Sequence, residues 1–164
     1  MNTELLNERD IAFLLHEFLD TEAVLQRPLY REHSREIFDA VLNTAKSIAE
    51  DKFANHNQKG DANEPQFNGK TVTLISETKA AWDAWAEAGF LAAHYPFDED
   101  GMQLPETVLR VAMAYPSAAN VSTAAYGFLT MGAANLIRSF ATPEHQARFL
   151  PSMKTGRFAG TMAL

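Results

Sequence analysis

Apolar residues recur at helical spacing along most of the chain, interrupted by a few polar, glycine- and proline-bearing segments. In DIAFLLHEFLDTEAVL, Ile11, Leu14, Leu15, Phe18 and Leu19 share one face of a helix. Asp10 is its expected N-cap, and Pro28 in RPLY ends the pattern. From about His33 to Phe53 a second stripe is built from Ile37, Val41, Leu42, Ala45, Ile48 and Ala49. Glu32, Arg35, Glu36, Asp39, Lys46 and Glu50 fall largely opposite, as a half-buried bundle helix requires. The polar run NHNQKGDANEPQFNG then reads as a loop, and KTVTLI is apolar enough for a short strand.

SETKAAWDAWAEAGF restores the helical period, with Ser76 as expected cap and Gly89 at the helix C-terminus. HYPFDEDGMQLP reads as an exposed acidic loop. The stretch from Pro105 to Phe140 is rich in Ala, Gly and Ser, which lets helices approach closely or leaves room for a ligand against the backbone. In ATPEHQARFLP, Thr142 is an N-cap, Pro143 takes the first helical position and Glu144 faces the positive end of the dipole. Phe158 to Leu164 alternates bulky and small apolar residues and reads as the opening of a buried strand. The pattern predicts an all-α bundle of about five or six helices followed by the start of a sheet.

Composition narrows the function. With 14 basic against 21 acidic residues and a net charge of −7, the chain lacks the basic patch that nucleic acid or an anionic membrane would require. No apolar run is long enough to span a membrane. The charged start MNTELLNERD is unlike a secretion signal, so a cytoplasmic location is expected. Absence of cysteine excludes disulfides, thiolate metal sites and thiol nucleophiles. The histidines His16, His33, His56, His94 and His145 are scattered without metal-ligand spacing, and His16 and His145 read as ordinary helix residues. DEDG at 98–101 fails as a calcium loop, because the first and twelfth positions would be Pro96 and Thr107. No GxGxxG, P-loop or GxSxG occurs. Trp82 and Trp85, spaced i, i+3 without interleaved basic residues, read as core. No self-contained catalytic apparatus is visible.

IRSFATPEHQARFLPSMKTGRFAGTMAL resembles the end of the N-terminal helical domain of acyl-CoA dehydrogenases. The parts that carry the likeness are Phe140, Thr142 to Gln146, Arg148, Phe149, Leu150, Pro151, Gly156 and Gly160 to Leu164. AWAEAGFLAAHYPFDEDGMQLP resembles the family's Glu-x-Gly, apolar run and glycine-rich loop ending in proline. DIAFLLHEFLD and YREHSREIFDAVLNTAKSIAED resemble the branch with an extended N-terminus, which includes the 3-methylmercaptopropionyl-CoA dehydrogenase type. Two positions depart from the family pattern. Ala141 stands where a glycine is usual before the turn, and the glycine loop is thinned to residues 100–105.

The resemblance implies an N-terminal extension at 1–28, a helical bundle at 29–157 and the first strand of a middle β domain at 158–164. It implies FAD-dependent oxidation of an acyl-CoA to its 2,3-enoyl form, with electrons passed to an electron-transfer flavoprotein, in a homo-oligomer. Because the strand stops before the family's flavin-holding residues and the catalytic glutamate, the chain is expected to be an N-terminal fragment, inactive alone. VSTAAYG matches the helix lining the acyl cavity, which implies substrate-binding roles for Ser122, Tyr126 and Gly127. Met162 and Leu164 match strand positions beside the flavin. The rival expectations are a stand-alone helical interaction module and one half of a split dehydrogenase.

Overall fold

A computed structural model describes residues 5–161. Among these, seven α-helices run α1 (Glu8–Ala12), α2 (Arg35–Ile48), α3 (Asn57–Ala62), α4 (Ser76–Glu87), α5 (Glu106–Ala119), α6 (Val121–Phe140) and α7 (Pro143–Lys154). The all-α class expected from the periodicity is what the chain adopts. One small antiparallel hairpin interrupts it, β1 (Gln66–Phe67) paired with β2 (Val72–Thr73) in the register Gln66 to Thr73 and Phe67 to Val72. Its turn is closed by Asn68, whose Oδ1 accepts from the backbone N–H of Lys70 (3.0 Å) and Thr71 (2.9 Å).

The core lies where α2 packs on α5, with α4 and α6 closing its sides. Phe38, Leu42, Ala45 and Ala49 meet Val108, Leu109, Ala112 and Tyr115 there, while Trp85 fills the space towards Phe53 and Phe90. A second cluster, Ala133, Ala134, Leu150 and Met153, joins α6 to α7. Alanine at these positions lets helix backbones come close, so the small-residue stretch serves packing first.

Several local expectations change. The first periodic segment is not one helix: Asn7, not Asp10, caps α1, with its side chain accepting from the N–H of Arg9 and Asp10. A π-turn carries the chain through Phe13–Phe18. Asp20 then takes a left-handed conformation at φ 44°, which a short polar side chain tolerates, and ends the helical run. His16 holds this arm to α2, lying 2.9 Å from Glu22 Oε1 and 3.2 Å from Asp39 Oδ1. Ser76 is the first residue of α4 and not its cap; Ile75 holds the cap position without a side-chain hydrogen bond. Gly89 does sit past the helix end, at φ 80°. The acidic segment 94–105 is not simply exposed, since Tyr95 and Leu104 are buried in the core. Ala141 is extended at φ −80°, so the turn before α7 needs no glycine. Thr142 caps α7 as expected.

The polar run after Phe53, expected as a loop, contains the short helix α3. Lys59 in α3 pairs with Glu77 at the start of α4. That ammonium, a backbone N–H and the Ser76 hydroxyl lower the Glu77 carboxyl from 4.5 to about 2. A carboxylate whose folded value is depressed contributes stability above its unfolded value and loses it as pH falls towards the folded one. The stability difference between the parent chain and Glu77→Gln is therefore expected at neutral pH. It should shrink below pH 4.5 and vanish near pH 2. Urea midpoints of the two chains across this range check it; a difference that grows on acidification would refute it.

The expected strand at 158–164 is described only as far as Thr161. Phe158 to Thr161 are bends and irregular backbone, and Met162 to Leu164 lie outside the described residues.

Candidate functional site

The N-terminus of α6 sits on a buried polar support. Asn120 caps the helix, its Oδ1 accepting from Thr123 N–H (3.1 Å) and its amide donating to Phe53 O (3.4 Å). His56, only 1% exposed, places Nε2 2.9 Å from Thr123 Oγ1 and Nδ1 2.8 Å from Asn55 Oδ1. Sequence reasoning missed both residues. Asn before Val-Ser-Thr was a readable cap signal, but the segment from 105 to 140 gave one unbroken small-residue pattern.

Ser122 and Tyr126 project one turn apart from this supported end, both exposed. They share a cleft of about 310 Å³ with Asn57, Asn63, Leu74 and Ile75. The Tyr126 ring, 38% exposed, also lines an adjoining, more apolar cleft of about 550 Å³. There it meets Leu74, Ile75, Trp82 and Gly156. The segment after β2 thus forms the wall opposite α6, a juxtaposition no local pattern in the sequence encodes.

The far wall is held by two contacts. Trp82 donates its indole N–H to Gly156 O at 2.8 Å, so Trp82 is half core and half cleft lining. Gly156 is left-handed at φ 73°, and a Cβ there would come within 2.5 Å of Ala86 Cβ. Thr130 ties the other side. Its hydroxyl donates to Tyr126 O (2.7 Å) and accepts from Gly160 N–H (2.9 Å), which fixes the chain leading to Thr161 against α6.

Gly127 does not join the cleft. It faces α4, and a Cβ added there would lie 3.6 Å from the Trp85 indole nitrogen, an ordinary contact. Ser122 and Tyr126 are brought together, Gly127 is turned away from them, and Met162 and Leu164 lie outside the described residues. Among the described residues no group of His, Asp and Glu is placed to hold a metal ion, and no helix is long and apolar enough to cross a membrane.

Known proteins resemble this chain over most of its length. The family described as acyl-CoA dehydrogenase, N-terminal domain, matches residues 35–157. A butyryl-CoA dehydrogenase of Syntrophomonas wolfei is 29% identical over 160 residues, covering 95% of this chain and 26% of that protein. The 3-methylmercaptopropionyl-CoA dehydrogenase of Ruegeria pomeroyi is 26% identical over 156 residues, with the same coverages. At 95% coverage these matches take in most of the arm that precedes residue 35. The chain spans about a quarter of the length of these curated relatives.

Proposed function

Because the chain belongs to the acyl-CoA dehydrogenase family and carries that family's N-terminal domain, we propose that it forms one wall of the acyl pocket in a longer, FAD-dependent dehydrogenase. In this reading it is inactive alone and works in the cytoplasm. The observation that carries the proposal is the pair of adjoining clefts that meet at Tyr126, one placing Ser122 across from Leu74 and Ile75 and the other adding Trp82.

The proposed reaction is oxidation of an acyl-CoA to its 2,3-enoyl form, with an electron-transfer flavoprotein as the proposed electron acceptor. When bound, FAD supplies the hydride acceptor. The residues assigned to it are Met162 and Leu164. Both lie outside the described residues; the chain before them is held to α6, where a Cβ on Gly160 would come within 2.9 Å of Ala133 Cβ. This chain's own part is to bind and orient. Trp82, Leu74 and Ile75 remove the alkyl chain from water, and Tyr126 limits how far its apolar part extends.

Replacing Tyr126 with alanine in the protein as its host makes it is expected to shift preference towards longer acyl-CoAs, by about tenfold in relative kcat/KM. Steady-state rates across a series of saturated thioesters check this; an unchanged chain-length profile would sink the assignment.

The exposed apolar residues Val121, Phe128, Leu136 and Phe140 on α6 favour a second reading, a helical module whose apolar face is covered by a separate partner. The intact mass of the host-made protein separates the two: 18.2 kDa favours the module, and a mass near four times that favours the dehydrogenase.

A further inference from the structure

Thr44, Ser117 and Thr130 turn their hydroxyls back on their own helices, donating to Ala40, Met113 and Tyr126 carbonyls four residues earlier. Thr123 sends its hydroxyl out of α6 instead, to His56 Nε2 at 2.9 Å. The partners further along decide which atom donates. Asn55 gives its amide N–H to Asp51 O at 2.7 Å, which leaves its Oδ1 to accept from His56 Nδ1–H at 2.8 Å. In that tautomer Nε2 is an acceptor, and the Thr123 hydroxyl donates to it. The bonds therefore run in one direction from the first turn of α6, through His56 and Asn55, to the π-turn that follows α2.

The first turn of α6 depends on this chain of bonds. Val121, Ser122 and Thr123 are poor helix formers, and only Asn120 separates them from the end of α5. Two ties hold the turn to the bundle, Asn120 to Phe53 O and Thr123 to His56. Both join residues 67 apart, so the turn sits in a single register along 53–56. Tyr126 stands one turn further on, and Asn120, Ser122, Thr123 and Tyr126 line the same cleft. His56 lines neither cleft; it is buried and reaches them through Thr123.

Resting on the acyl-pocket reading above, we infer that His56 is a positioning residue for acyl-chain selection: through Thr123 it sets where α6 starts, and hence where the Tyr126 ring closes the pocket. Thr123 is buried, so its hydroxyl cannot exchange the ring nitrogen for bulk water. Without that acceptor it turns back to its own helix as its counterparts do, and the turn loses one of its two ties. The Tyr126 ring then no longer holds a short chain in place, and longer chains pass it.

The test is the ratio of kcat/KM for octanoyl-CoA to that for butanoyl-CoA in the host-made protein. Thr123→Val and His56→Leu are each expected to raise this ratio about threefold, through a higher KM for butanoyl-CoA at little changed kcat. Thr123→Ser keeps the hydroxyl, and His56→Gln keeps a group that can accept at the Nε2 position; both should hold the parent ratio. In a Tyr126→Ala background Thr123→Val should shift the ratio no further, because the residue it acts through is gone. A parent-like ratio in Thr123→Val, or the same shift with and without Tyr126, overturns the positioning role and leaves the acyl-pocket reading standing. Tyr126→Ala alone leaving the ratio unchanged overturns the acyl-pocket reading itself, and the positioning role with it.

Discussion

Replacing Gly101 with alanine is expected to destabilise the protein by more than about 3 kcal/mol, the range reserved for changes the backbone cannot absorb. A Cβ at Gly101 would stand 2.0 Å from Tyr95 O and 2.4 Å from Tyr95 C, and both atoms belong to main chain. The carbonyl cannot retreat, because it accepts from Gln103 N–H at 2.8 Å while Leu104 N–H bonds Ala93 O at 2.9 Å. Glu99, in the same loop, is anchored to α6 through both oxygens by Arg138 and offers its carbonyl to Lys154 of α7. Opening the loop therefore loosens the joint between α6 and α7 as well as the burial of Tyr95. Urea unfolding of the variant checks this; a midpoint equal to that of the parent chain would show that the loop tolerates a side chain. This one glycine does the steric work in the loop, while Asp100 and Gln103 take the positive φ values themselves.

The second large effect is expected at Trp85, which is 4% exposed. Its indole stacks on Phe90 with ring centroids 4.0 Å apart, and meets Phe53 edge-on at 6.1 Å. Gly127 brings α6 close to the same ring. Trp85→Ala should cost about 3–5 kcal/mol through lost burial and an unfilled cavity, lowering the melting temperature by about 10 °C. Trp82→Ala removes a half-buried ring and should cost less while disturbing the cleft. Melting curves of the two variants settle the order; a larger loss at Trp82 would place the structural centre of α4 elsewhere.

Periodicity located α2, α4 and α7 because each carries an uninterrupted apolar stripe or a strong start signal, as Thr142, Pro143 and Glu144 do for α7. It misplaced what tertiary contacts decide. The helix Asn57–Ala62 has six residues and carries Gly60 among polar ones, too short and too polar for a periodic stripe, and it follows buried His56. The break between α5 and α6 depends on one asparagine inside an otherwise continuous small-residue run. Asp20 ended a pattern whose apolar spacing ran straight through it.

The site was legible only in part. Ser122 and Tyr126 were singled out by likeness to a family helix, and the fold sets them on one cleft. Gly127 was singled out with them, yet one residue along a helix turns a position through about 100°, which carries it to Trp85. Leu74 and Ile75 were legible only as the apolar end of a short strand, since their place across from α6 joins segments some fifty residues apart in sequence, a relation periodicity cannot express.

The central claim is that this domain serves acyl-CoA oxidation at a flavin. The most direct measurement is the visible absorbance of the protein purified as its host makes it, under exclusion of oxygen, before and after addition of butanoyl-CoA. The account expects a flavin spectrum that bleaches on addition of the thioester. A protein with no flavin absorbance, or one whose spectrum no acyl-CoA changes, would contradict it.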